Sequence, residues 1–120
     1  VFVFLSELLV VVVMRTRKHE LLSCASAVFA LAGGTGTLEE LFEAMTLKRL
    51  GLFLGPIVLV NTAGFYDPLL AQLAAAIDGR FMDARHDRMW TVVKEPDEVL
   101  PAIESSPQWS ADSRDFAVMR

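Results

Sequence analysis

Gly33-Gly34-Thr35-Gly36-Thr37-Leu38-Glu39-Glu40 sets three glycines within four residues ahead of two adjacent carboxylates. Glycine leaves bare backbone that a ligand can approach closely, and it permits positive φ. A helix that opens here aims unpaired N–H groups and a partial positive charge at one point, which favours an anion such as a phosphate. A carboxylate held one ribose-length from that phosphate can stabilise an oxocarbenium-like anomeric carbon. It can also orient the attacking water, as carboxylates do in glycoside cleavage. A purely structural reading fits the same residues. Thr37-Leu38-Glu39-Glu40 satisfies the S/T-x-x-E capping box, with Glu40 reaching back to the Thr37 N–H, and acids in a first turn suit the helix macrodipole. Spacing alone leaves both readings open.

A second set, Met14-Arg15-Thr16-Arg17-Lys18, follows the apolar run Val10–Val13. Open parallel sheets bind ligands beyond the carboxyl ends of their strands. Both sets emerge there and are expected to converge. Arg17 is expected to point inward, pinning a phosphate or ribose bidentately or polarising a departing base. Arg15 and Lys18 suit a solvated helix start equally well. Common nucleotide motifs do not fit: no Gly-Lys-Ser/Thr follows the glycines, and Glu39 stands where a dinucleotide fingerprint needs its third glycine. His19 and His86 lack metal-ligand spacing and read as surface residues. Cys24 is the sole cysteine, has no evident base beside it and cannot form an internal disulfide, which fits a reducing cytosol. Asp83, Arg85, Asp87 and Arg88 read as solvated charges, and Phe53, Phe65 and Tyr66 as core.

The elements that must position these residues alternate between β-like runs and helical patterns, which predicts an α/β fold with parallel strands. Leu8–Val13 is the first strand, with Val1–Leu5 the end of a preceding element, and Arg17–Ser23 a short helix. Ala27–Leu31 is a strand that runs into the glycine turn. Thr37–Leu50 is a helix whose apolar stripe is Leu38, Leu41, Phe42 and Met45, stopped by Gly51. Ile57–Val60 is a strand followed by the loop Asn61–Tyr66. The next helix has Asp67 as N-cap and Pro68 in its first turn, and ends at Gly79. Phe81–Arg88 connects to the strand Trp90–Val93. Glu95–Ile103 is a last helix with Pro96 at its start and Pro101 shortening its end. From Glu104 the composition turns Ser/Pro/Asp-rich, and a poorly ordered tail is expected, with Trp109 and Phe116 as docking aromatics.

Length and composition bound the rest. A chain of 120 residues makes one small domain or part of one. Its apolar share of 53% and mean hydropathy of +0.43 exceed the usual range of about 45–50% apolar. That excess suits a parallel sheet covered on both faces, or surface buried in an oligomer. A net charge of −4, without a large Lys/Arg patch, argues against a nucleic-acid partner. Val1–Met14 is broken by Ser6-Glu7 and falls short of the ~20 residues of a membrane span. Neither does it have the flanks of a signal peptide. The chain starts with Val rather than Met, which points to a fragment or a processed product.

The motifs resemble those of the LONELY GUY (LOG) family of cytokinin riboside 5′-monophosphate phosphoribohydrolases, whose members were long mislabelled as lysine decarboxylases. The family's Pro-Gly-Gly-x-Gly-Thr-x-x-Glu is matched by Ala32 through Glu40, and its Met-His-x-Arg-Lys by Met14 through Lys18. Glu40–Thr46, Leu50-Gly51, Pro56–Val60, Asn61–Tyr66 and Gly79-Arg80-Phe81 also follow the pattern, so the likeness runs from Leu5 to Ile103. It implies a Rossmann-like parallel sheet with flanking helices. It also implies hydrolysis of the N-glycosidic bond of a nucleoside 5′-monophosphate, giving free base and ribose 5-phosphate. By motif position Arg17 and Glu40 would be catalytic. Gly33, Gly34, Gly36 and Thr37 would hold the phosphate, with Lys18 and Glu39 nearby. No metal or organic cofactor is implied, and the partners are the nucleotide and further copies of the chain in a homodimer or larger assembly, in the cytoplasm.

This sequence departs from the family in Ala32 for proline, Arg15 for histidine, and Val12-Val13 where a polar residue is usual. It also lacks the N-terminal strand–helix units, so residues 1–103 read as a partial domain and 104–120 as its tail. The rival readings are a non-catalytic nucleotide-binding or carrier module of the same fold, and an inactive truncated remnant.

Overall fold

The computed structural model describes the backbone of residues 2–6 and 9–12, and the chain with its side chains from 27 to 118. Five strands form one sheet in the order β2-β1-β3-β4-β5, where β1 is Phe2–Ser6, β2 Leu9–Val12, β3 Ala27–Ala30, β4 Ile57–Val60 and β5 Trp90–Val93. The helices are α1 (Thr35–Arg49), α2 (Asp67–Asp78) and α3 (Val99–Ser105). β3, β4 and β5 are parallel, as the alternation of strand and helix predicts. β1 corrects that prediction at the amino end. It is a strand in its own right and pairs antiparallel with both β2 and β3. Only two residues separate β1 from β2, too few for the crossover that parallel neighbours require.

The central strands are apolar on both sides because both faces are covered. All of Ile57–Val60 is buried. Val28, Ala30, Ile57 and Leu59 point to one face, where Leu41, Ala44 and Met45 of α1 meet Leu73 of α2 and Tyr66. Val58, Val60 and Val93 point to the other and meet Val99 and Ala102 of α3. The two-residue period of the strands thus distributes one apolar sequence between two cores.

α1 differs from its sequence reading in where it starts and what it buries. It begins at Thr35 with Gly34 as N-cap, so Thr37 lies inside the helix and the expected capping box does not form. Its buried face is Thr37, Glu40, Leu41, Ala44, Met45 and Lys48, a continuous three- and four-residue spacing that includes three polar residues. Phe42, expected in the apolar stripe, is instead exposed.

The carboxyl end of α1 closes as Gly51 predicts. Gly51 has φ +76°; its N–H donates to the Lys48 carbonyl and that of Leu52 to the Leu47 carbonyl, the Schellman arrangement. Residues beyond 104 pack over this end. The Trp109 indole N–H donates to the Lys48 carbonyl at 2.8 Å, and the Ser113 hydroxyl to the Lys48 and Arg49 carbonyls at 3.2 and 3.3 Å. These bonds serve carbonyls that no longer find a partner in the helix.

Two smaller expectations change. Asp67 is the first residue of α2 rather than its N-cap. Pro101 sits in the first turn of α3, where a missing N–H costs nothing, and so does not shorten the end.

Candidate functional site

The carboxyl ends of β3, β4 and β5 share one edge of the sheet, because Ala30 pairs with Leu59 and Val60 with Val93. β2 runs in the same sense as β3: Val12 pairs with Val3, which in turn pairs with Phe29. The chain therefore leaves β2 toward the edge that carries the glycine turn, two strand spacings or about 10 Å away. Arg15, Arg17, Lys18, His19 and Cys24 lie outside the described residues.

At this edge the turn between β3 and α1 presents backbone. The helical ladder starts with the Leu38 N–H donating to the Gly34 carbonyl at 3.1 Å, so the amides of Thr35 and Gly36 lie ahead of it. Gly34 at the N-cap has no side chain to offer, and the first turn of the helix carries no acid. The three glycines serve distinct purposes. A Cβ on Gly33 would collide with the Thr37 hydroxyl, so this glycine lets the turn pack on its own helix. On Gly34 or Gly36 a Cβ would meet no described atom within 4 Å. None of the three has positive φ, contrary to the expected use of glycine here. Neither crowding by described atoms nor backbone strain requires glycine at positions 34 and 36.

Glu40 and Glu39 fall in the second turn of α1, not the first, because the helix starts two residues earlier than expected. They diverge. Glu39 faces solvent, whereas Glu40 is 7% exposed on the sheet-facing side beside Thr37. Six residues of helical rise separate Gly34 from Glu40, about 9 Å. The structure thus groups Gly33, Gly34, Gly36, Thr37 and Glu40 at one edge and leaves Glu39 on the outer side.

The loop after β4 forms the neighbouring wall, and its role is only partly visible in the sequence. Tyr66, read as core, is buried, and its phenol also donates to the Leu31 carbonyl at 2.6 Å, tying this loop to the residue that follows β3 and precedes the glycine turn. Burial raises the phenol's pKa. Asn61 accepts from the Tyr66 N–H at 2.6 Å and donates to Asp67 at 2.8 Å. Between them Ala63 and Gly64 adopt left-handed conformations at φ +53° and +73°. A left-handed alanine is uncommon, and nothing in the sequence marks it except the glycine that follows.

His86, read as a surface histidine, is fully buried. Its Nδ1 accepts from the Asp83 N–H at 2.9 Å, and its ring lies 5.3 Å from that of Phe116. Desolvation, and then the Arg49 charge, lower its pKa. This histidine closes the turn at Ala84–Met89 and lies against the C-terminal segment. Asp83 pairs with Arg85 at 2.7 Å, which holds the carboxyl well below the usual range. Among the described residues no three His, Cys, Asp or Glu side chains gather as metal ligands. No helix of the described residues is long and apolar enough to cross a membrane.

The family model described as "Possible lysine decarboxylase" matches residues 4–103. The chain is 36% identical over 100 residues to cytokinin riboside 5′-monophosphate phosphoribohydrolase LOG2 of Arabidopsis thaliana, covering 83% of this chain and 47% of the relative. It is 46% identical over 74 residues to cytokinin riboside 5′-monophosphate phosphoribohydrolase LOG of Oryza sativa subsp. japonica, covering 60% and 31%. With the cytokinin riboside 5′-monophosphate phosphoribohydrolase of Rhodococcoides fascians it shares 40% over 102 residues, covering 84% and 51%. The chain spans about half or less of the length of these curated relatives.

Proposed function

This chain belongs to the possible lysine decarboxylase family, which includes the LOG phosphoribohydrolases, and from that premise we propose that it carries the phosphate turn and catalytic carboxylate of a nucleoside 5′-monophosphate phosphoribohydrolase. The reaction replaces the bond between the anomeric carbon and the base nitrogen with one to water oxygen. Free base and ribose 5-phosphate result, and the base nitrogen gains a proton. The relatives named for this activity on cytokinin riboside 5′-monophosphate support the substrate class.

The observation that carries the reading is the buried Glu40 one and a half turns along a helix whose N-cap is Gly34. Gly33, Gly34, Gly36 and Thr37 receive the 5′-phosphate on backbone N–H groups and the positive end of the helix dipole. Glu40 stabilises the positive charge that develops at the anomeric carbon as the base departs. Arg17, by its place in the motif, anchors the substrate or assists departure of the base. Lys18 and Glu39 border the nucleotide; the exposure of Glu39 suits a contact at the rim. Exposed apolar side chains at Phe42, Leu52 and Leu54 support assembly into a homodimer or larger oligomer. The lone Cys24 suits a cytoplasmic location.

Chromatographic detection of adenine released from AMP tests the reading. Glu40→Gln is expected to lower base release by roughly 10³-fold, within the range of a lost catalytic carboxylate, while AMP affinity changes only a few-fold. Unaltered release from this variant would remove the mechanism. AMP binding without any release by the parent chain would favour the non-catalytic nucleotide-binding module.

A further inference from the structure

At the other end of α1, about 22 Å of helix from the glycine turn, a cleft of about 500 Å³ opens between α1, the end of α2 and the C-terminal segment. Thr46, Arg49, Leu50, Arg80, Phe81 and Val118 line it. Its volume lies in the range of small-molecule sites, about 300–1,000 Å³. We propose that this cleft binds a small amphipathic carboxylate, with the carboxylate on Arg49 and Arg80 and the apolar body over Phe81.

Arg80 is the first reason. It has φ +65°, the left-handed region that glycine favours. α2 ends in a Schellman arrangement, with the Arg80 N–H donating to the Ile77 carbonyl at 3.0 Å and that of Phe81 to the Ala76 carbonyl at 2.9 Å. The left-handed residue of this motif is usually glycine. Here Gly79 stands one residue too early, at φ −77°, and an arginine takes the unfavourable conformation. Backbone strain of this kind gathers at ligand clamps.

Arg49 is the second. Its Nη2 donates to the Phe81 carbonyl at 3.0 Å, which joins the two arginines across one turn of backbone. Its Nε is buried with no hydrogen-bond partner. Among the described residues neither Arg49 nor Arg80 is paired with a carboxylate, whereas Arg85 is paired with Asp83. Two guanidiniums without acids, in a chain of net charge −4, form a local positive spot suited to a planar oxyanion.

The apolar wall is the third. Phe81 is 76% exposed and Val118 72%, beside the half-exposed Leu50. A simple phosphate would leave this wall in water, whereas a carboxylate on an aromatic or aliphatic body covers it. The site stands apart from the proposed nucleotide site and does not depend on it.

Calorimetric titration of the intact chain with 1-naphthoate, and with uncharged 1-naphthamide as control, tests the proposal. Naphthoate is expected to bind saturably at one site per chain at low millimolar concentration or below, and naphthamide at least about tenfold more weakly. Arg80→Gly is the decisive variant, because glycine relieves the left-handed backbone and the melting temperature should rise. Naphthoate affinity should nonetheless fall about tenfold, and Arg49→Met should weaken it similarly. A more stable Arg80→Gly protein that binds naphthoate like the parent would overturn the proposal. So would equal binding of naphthoate and naphthamide, or no naphthoate binding at low millimolar concentration.

Discussion

Helix α1 buries a charged-type residue near each end of one face, Glu40 toward the amino end and Lys48 toward the carboxyl end. Around Lys48 the chain supplies partners of its own. Lys48 is 1% exposed; its ammonium donates to the Gly55 carbonyl at 2.7 Å and lies 5.8 Å from the centre of the Trp109 ring. The helix carbonyls beside it are taken by Gly51, Trp109 and Ser113. The amino end is built differently. Gly34 caps it without a side-chain hydrogen bond, and a Cβ at Gly34 or Gly36 would meet no described atom. One end of the helix is closed by its own chain, and the other ends in glycine backbone, the place proposed for the phosphate.

The largest effect expected from breaking this contrast is at Gly51. An alanine there must hold a left-handed backbone and collide with the Ala111 carbonyl. Gly51→Ala should destabilise the chain by about 3 kcal/mol in chemical denaturation, the sum of a conformational and an overpacking cost. A change below about 0.5 kcal/mol would show that the C-terminal segment does not rest on this turn.

Lys48 sharpens the contrast through pH. Burial lowers its pKa from 10.5 to about 8. Between those values the unfolded chain binds the proton that the folded chain has released. Stability therefore rises with pH across this window, by up to roughly 3 kcal/mol. Lys48→Met removes the titrating group, so the difference in stability between parent and variant should change between pH 8 and 10.5. Parallel curves from the two proteins would contradict a desolvated ammonium.

The smallest effect on stability and the clearest on binding should come from Gly36→Ala. The position is helical and open, so alanine should be neutral or stabilising by about 0.5 kcal/mol. The added methyl occupies the space proposed for phosphate, and AMP affinity measured by calorimetry should fall at least about tenfold. Unchanged affinity would place the nucleotide elsewhere.

Much of this arrangement was legible from residue types, for local reasons. Ile57–Val60 reads as a strand because four consecutive apolar, mostly β-branched residues leave no polar side, and Gly51 reads as a stop because it can turn left-handed. His86 was misread. Nothing in Ala84–Met89 shows that Phe116, thirty residues later, would cover its ring. Tyr66 was read as core, yet its bond to Leu31 spans thirty-five residues and has no local signature.

By itself, the amino-acid sequence determined the glycine turn, the identity of its neighbouring acids and the alternation that makes a parallel sheet, since each depends on residues within one helical turn or one strand. The tertiary structure alone decided that α1 starts at Thr35 rather than Thr37, which dissolves the capping box and separates a buried Glu40 from an exposed Glu39. The reason is packing. Gly33 lies against the Thr37 side chain, and β3 and Tyr66 hold the strand end beneath it, so the helix begins where the sheet allows.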